Sequence, residues 1–295
     1  MEKRSLKHFT PFALKVIVVH TLTYFFFGLI MSNIFNYDEL FRMEIIGDFM
    51  RPVASTGVVG IFLQPIRGIL FAVALWPIRS LILEKRYGWL IVWNILVMIG
   101  ILSTPAAAPC SVEGVIYSKL PLWYHLIGLP EILLQTLVFS LILVRWDRRS
   151  FQGAKSPGQN LKGRNRDASL FARIMKPVSL ACFAYIGYAV GAILFVFISG
   201  AEVDMEAAGG DVKTQLMFVV AFAVNVPAIH LVSRPWQAGR IRPARIFLLF
   251  WVIDSAVPFL YQLLVFGGSS LPVTLALGFL PALIIAVGIR LVYGR

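Results

Sequence analysis

Three ionisable residues stand inside otherwise apolar stretches of this 295-residue chain: Arg67, Glu131 and Asp254. Each lies near the middle of its stretch, where a charge costs about 2.5–3.5 kcal/mol even on the lenient insertion scale. None can reach water by extending along a helix, so each must face the protein interior or a wet cavity. Arg67 keeps its proton and needs an anion or water within reach. With one cation and two carboxylates, one acid is left over, which is the requirement for a site that binds a proton or a cation. The sequence therefore predicts that Arg67 lies within hydrogen-bonding distance of Glu131 or Asp254, directly or through water. A salt bridge that only holds helices together is the competing reading.

Polar neighbours extend these positions. Gln64 lies one turn before Arg67, and Gln135 one turn after Glu131. Asp254, Pro258 and Tyr261 share a helix face, and Pro258 leaves a carbonyl near the acid without its helical donor. Asn225, flanked by Pro227, takes in the second half of the chain the place that Arg67, flanked by Pro65, takes in the first. Arg67, Glu131, Asp254, Gln64, Gln135 and Asn225 thus form the candidate substrate- or proton-binding set. No residue is assigned a catalytic role. HExxH, GxSxG, Walker A and GxGxxG motifs are absent in their required contexts. Cys110 and Cys182 show no CxxC spacing, and the histidines are not at ligand spacing, so neither a metal nor another cofactor is called for.

The elements that must position these residues follow from composition. Hydrophobic residues make up 58% of the chain and charged ones only 14%, too few charges to clothe a water-soluble globule. A helix needs about 20 apolar residues to cross the hydrocarbon layer. Eight such stretches occur: 16–36, 57–78, 87–105, 120–144, 177–200, 214–233, 246–266 and 271–289. They are apolar on every face, which excludes a barrel of alternating strands. The expected fold is all-α, a polytopic membrane protein with eight transmembrane helices in two pseudo-repeated four-helix halves.

Charge sets the expected orientation. The net charge is +12. With the N-terminus in the cytoplasm, 22 of the 27 Lys and Arg fall on the cytoplasmic side and four on the other, with Arg67 between. This places the protein in the cell (cytoplasmic) membrane with both termini cytoplasmic. Its partners are then the lipid bilayer and anionic headgroups at the basic loops, rather than nucleic acid.

The halves comprise residues 1–146 and 175–295, joined by a basic linker over 147–174 that reads as a flexible cytoplasmic connection. Trp76-Pro77 and Pro235-Trp236 close the second and sixth helices. Trp93 follows Pro77 at the spacing by which Trp251 follows Pro235. Leu120-Pro121 and Leu129-Pro130 match Leu271-Pro272 and Leu280-Pro281, nine residues apart in both. Internal duplication accounts for these spacings and pairs Pro130 with Pro281. On the outer side, Phe41, Ile45 and Phe49 predict one amphipathic surface helix over 37–52, with Asp38 as its cap. The Thr104–Gly114 segment reads as a connecting loop, or as a re-entrant one that dips towards Arg67. Function follows as an expectation: a transporter or permease with a mid-membrane ionisable site. The alternatives are a non-enzymatic membrane scaffold or assembly protein, or an intramembrane lipid-modifying enzyme.

Overall fold

The computed structural model describes residues 6–51, 53–155, 164–199 and 212–294; most of these are helical, with no strand among them. The helices are α1 Leu6–Ile34, α2 Tyr37–Arg42, α3 Glu44–Gly47, α4 Val53–Leu75, α5 Arg79–Glu84 and α6 Gly88–Asn94. A π-helical turn, Ile95–Leu102, extends α6. There follow α7 Val112–Tyr117, α8 Leu122–Lys155, α9 Arg164–Ser199, α10 Val212–Gln237, α11 Pro243–Phe266 and α12 Leu271–Tyr293. Six of them (α1 and α8 to α12) contain stretches long and apolar enough to cross a membrane. All six carry internal proline, Pro243 of α11 also standing at the helix start. Bundles in lipid tolerate this because neighbouring helices take up the freed carbonyls. Such a set of helices is that of a helical membrane protein.

Several boundaries differ from the sequence reading. The α6 and π-helical stretch is short, at 88–102. Pro235 does not close its helix, since α10 runs two residues further. Helix α8 continues through Lys155 and α9 begins at Arg164, so helical backbone occupies much of the expected linker, while 156–163 lies outside the described residues. The predicted surface helix is two short helices, because Met43 adopts an extended conformation between them. Leu40 and Ile46 are its buried residues, whereas Ile45 and Phe49 are exposed. Asn36, in the left-handed region, occupies the cap position expected for Asp38, which instead pairs with Arg42 one turn on.

The chain divides into two compact units, residues 1–56 with 63–160, and 57–62 with 161–295. In the first, Phe12, Val16 and Val19 of α1 pack with Ala72 and Leu75 of α4 and Phe139 and Leu143 of α8. Gly68 lets α4 approach α1 closely, since a Cβ there would stand 2.8 Å from the Ile17 Cα. One end of this core is closed by charge. Asp147 of α8, almost wholly buried, accepts from Lys15 Nζ at 2.8 Å. It also accepts from Arg79 Nε and Nη2 at 2.6 and 2.9 Å. Arg148, the next residue, donates to the carbonyls of Ile82, Leu83, Lys85 and Arg86, satisfying the end of α5.

In the second unit, Leu180, Ala181 and Ala184 of α9 pack with Ile229 of α10, Phe250 of α11 and Ile285 of α12. The two tryptophans matched by spacing make the same bond. Trp93 Nε1 donates to the Leu133 carbonyl of α8 at 3.2 Å, and Trp251 Nε1 to the Leu275 carbonyl of α12 at 2.8 Å. Each acceptor is the third residue after a Leu-Pro pair, Leu129-Pro130 in one unit and Leu271-Pro272 in the other.

Asp147→Asn should destabilise the detergent-purified protein by on the order of 3 kcal/mol, because it leaves two largely buried cations without their anion. Replacing Lys15, Arg79 and Asp147 together by Met, Met and Leu should cost less than the single change. Thermal unfolding of the two variants checks the order.

Candidate functional site

A cavity of about 410 Å³ lies inside the first unit, and Arg67, Glu131 and Gln135 all line it. Helices α1, α4 and α8 form its walls through His20 and Tyr24, Arg67 and Phe71, and Glu131 through Phe139. Tyr37 and Phe41 of α2, together with Thr104, Ala108, Pro109 and Cys110 of the 103–111 loop, form its upper end. The loop therefore does reach the Arg67 cavity. At 1.5 Å per residue, Glu131 lies about 13 Å and Phe139 about 25 Å along α8 from its start. The cavity thus extends from the loop end to about the middle of α1 and α8.

Glu131 accepts a hydrogen bond from the Tyr37 hydroxyl. Its other carboxylate oxygen faces Gly28 of α1 at Cβ-contact distance, 3.9 Å. Burial and the bond to Glu131 hold the Tyr37 hydroxyl well above its ordinary range, so it remains a donor. Arg67 sits over the Tyr24 ring, 5.9 Å from its centroid, and also acts electrostatically on His20. Tyr24 is within electrostatic reach of both Arg67 and Glu131. Gln64 is buried behind the cavity wall against His20. Among the described residues the ion pairs are Lys15–Asp147, Arg79–Asp147 and Arg42–Asp38. Of the two forms the expectation allowed, direct or through water, the direct contact between Arg67 and a carboxylate is not made among the described residues. Open space lies between the two charges, and Tyr37 takes one oxygen of Glu131.

Cys110 has φ of +68°, a left-handed conformation that costs a non-glycine residue about 1–2 kcal/mol. Several contacts hold it there. Its N–H donates to His125 Nδ1 at 2.9 Å and its thiol to the His125 carbonyl at 3.2 Å. Gly128 makes room for the sulfur, because a Cβ at that position would stand 2.7 Å away. Burial first, and the Glu131 charge second, push the Cys110 thiol up to about 11.

Asp254 and Asn225 belong to the second unit, where they meet each other. Asn225 Nδ2 donates to Asp254 Oδ1 at 2.7 Å, and the Tyr188 hydroxyl approaches the same oxygen at 3.1 Å. The carbonyl that Pro258 leaves without a helical donor is Asp254's own, and Tyr188 donates to it at 2.5 Å. All three residues are at least 95% buried. Tyr261, on the same helix, is instead only half-buried and donates to the Lys213 carbonyl.

One cavity therefore gathers Arg67, Glu131 and Gln135, and a separate buried cluster in the other unit gathers Asp254 and Asn225. Sequence reasoning missed Tyr24, Tyr37 and Tyr188, whose hydroxyls and rings attend these charges. Only Pro258 signalled that a donor was needed at Asp254, and nothing in the spacing named Tyr188. No group of His, Cys, Asp and Glu among the described residues could hold a metal ion. The chain matches no protein-family model, no curated protein and no solved structure.

The thiolate is the nucleophile, so a thiol near 11 is only about 0.1% reactive at pH 8. In a Cys182→Ser background, the rate of Cys110 labelling by a small methanethiosulfonate should rise about tenfold per pH unit between 8 and 10. Glu131→Gln should raise the rate at fixed pH by removing the negative charge. An unchanged rate would show that the two groups do not interact.

Proposed function

We propose that the protein is a transporter or permease that binds a small solute in the cavity of its first unit. One observation carries this reading: opposite charges, Arg67 and Glu131, line a space of about 410 Å³ without pairing to each other. Small-molecule sites occupy roughly 300–1,000 Å³ and are mostly apolar, with a few polar groups that orient the ligand. Two formal charges are costly to maintain in an apolar bundle, and a solute that answers them makes the cost useful. The length of the cavity supports transport over chemistry at one face, since it reaches from the loops to the middle of α1 and α8. The paired Lys15–Asp147–Arg79 cluster on the same helices α1 and α8 marks the opposite, closed end.

The wider architecture belongs to this proposal. Eight membrane spans, both termini in the cytoplasm and residence in the cell membrane rest on hydropathy and on the distribution of basic residues. Two related halves are supported by the matching bonds of Trp93 and Trp251 to the fourth helix of each. Those bonds pair Pro130 with Pro272, nine residues from the partner that spacing suggests. Asp254 and Asn225 then serve to hold α9, α10 and α11 together, by hydrogen bonds of the kind that join helices in lipid.

Uptake by proteoliposomes, screened over charged and zwitterionic solutes with and without a proton gradient, tests the proposal. Arg67→Gln and Glu131→Gln should each lower uptake at least tenfold, while Asn225→Ala should reduce stability more than rate per folded molecule. Uptake indifferent to both charge substitutions would overturn it.

A further inference from the structure

The geometry points to a zwitterion as the ligand of this cavity, with its anionic group on Arg67 and its ammonium on Glu131. The inference rests on the reading of the cavity as a solute site and adds the class of solute. Arg67 has no acidic partner among the described residues, and its neighbours are His20 and the Tyr24 ring. A carboxylate or phosphate would meet a forked donor there. Glu131 has one oxygen engaged by Tyr37 and the other towards Gly28, where no side chain fills the space. The Phe41 and Tyr124 rings, which pack against each other, line the cavity beside it. Carboxylate and aromatic ring together are the surroundings an ammonium group prefers.

A ligand with a single charge would answer one residue and leave the other facing the cavity without a partner. A zwitterion answers both and adds no net charge to the bundle. The cavity has room for roughly a dozen non-hydrogen atoms at about 30 Å³ each. Phe71 and Phe139 give the body of such a molecule an apolar wall. The same chemistry is offered by a free zwitterionic solute and by the headgroup of a zwitterionic lipid.

Binding to the full chain in nanodiscs of phosphatidylglycerol, which carries no ammonium, separates these cases. The soluble probes are phenylalanine, 3-phenylpropionate and phenethylamine; the lipid probe is lysophosphatidylethanolamine. Phenylalanine should bind at least tenfold tighter than either singly charged probe if the ligand is a free solute. If only lysophosphatidylethanolamine shows tight binding, lost in both variants below, the zwitterion is a lipid headgroup. Glu131→Gln should bring phenylalanine down to the affinity of 3-phenylpropionate, and Arg67→Gln to that of phenethylamine. Should either variant fail to fold, the affinity order in the unaltered protein decides. A singly charged probe that binds as tightly as the zwitterions, or no binding by any zwitterion, overturns the inference. Uptake of a singly charged solute would leave the transport reading standing without it, and tight zwitterion binding without uptake would do the reverse.

Discussion

Burying charge among apolar helices is the constraint on which this structure depends. An ion taken out of water loses several kcal/mol of solvation, and the protein must return it through partners or retained water. Three carboxylates meet this demand in three ways. Asp147 is met by two cations and three short hydrogen bonds. Asp254 is met by neutral donors, Asn225 and Tyr188. Glu131 receives one tyrosine hydroxyl and otherwise faces open space. The first two arrangements are buried and fix helices to one another, although Asp254 Oδ2 is left without a hydrogen bond. The third is left open to whatever enters the cavity.

The surroundings of the cavity are consistent with that division. Its deeper wall is continuous with the hydrophobic core through Phe71 and Phe139, so the site is held by the same packing that holds the unit. Its upper end is built from short helices and from a loop that strains one residue, Cys110, to make its contacts. Backbone strain persists only where surrounding contacts over-determine it. Here the His125 bonds and the space at Gly128 do so, keeping the loop at the cavity mouth.

Much of the scaffold was legible in the sequence, and the interior much less so. Hydropathy located the long helices because lipid demands apolar side chains on every face. The tryptophan spacing pointed to two positions that make the same bond, since an indole N–H in a bundle must find an acceptor. Pro258 announced a free carbonyl, because a missing N–H is a property of the residue itself. Asp147 was overlooked because it stands in a run of basic residues, where a lone acid looks solvated; only the return of α1 and α5 to that point buries it. The expected contact of Arg67 with a carboxylate rested on charge arithmetic alone. That arithmetic could not include the Tyr37 hydroxyl, which reaches Glu131 from 94 residues away. Residues 37–52 misled for a related reason. A three-residue hydrophobic stripe suits one helix, but the extended Met43 breaks it and turns Leu40 and Ile46 inwards instead.

Solvent access to the cavity is the central claim, and cysteine mapping measures it directly. In a background with Cys110 and Cys182 replaced by serine, single cysteines at Gln135 and Thr136, on the cavity wall, are compared with one at the fully buried Ser140. A membrane-impermeant thiol reagent should label Gln135→Cys and Thr136→Cys from one side of sealed vesicles only, and leave Ser140→Cys unmodified. If the two wall positions resist the reagent from both sides as Ser140→Cys does, the charges of Arg67 and Glu131 do not share an accessible site, and the account fails.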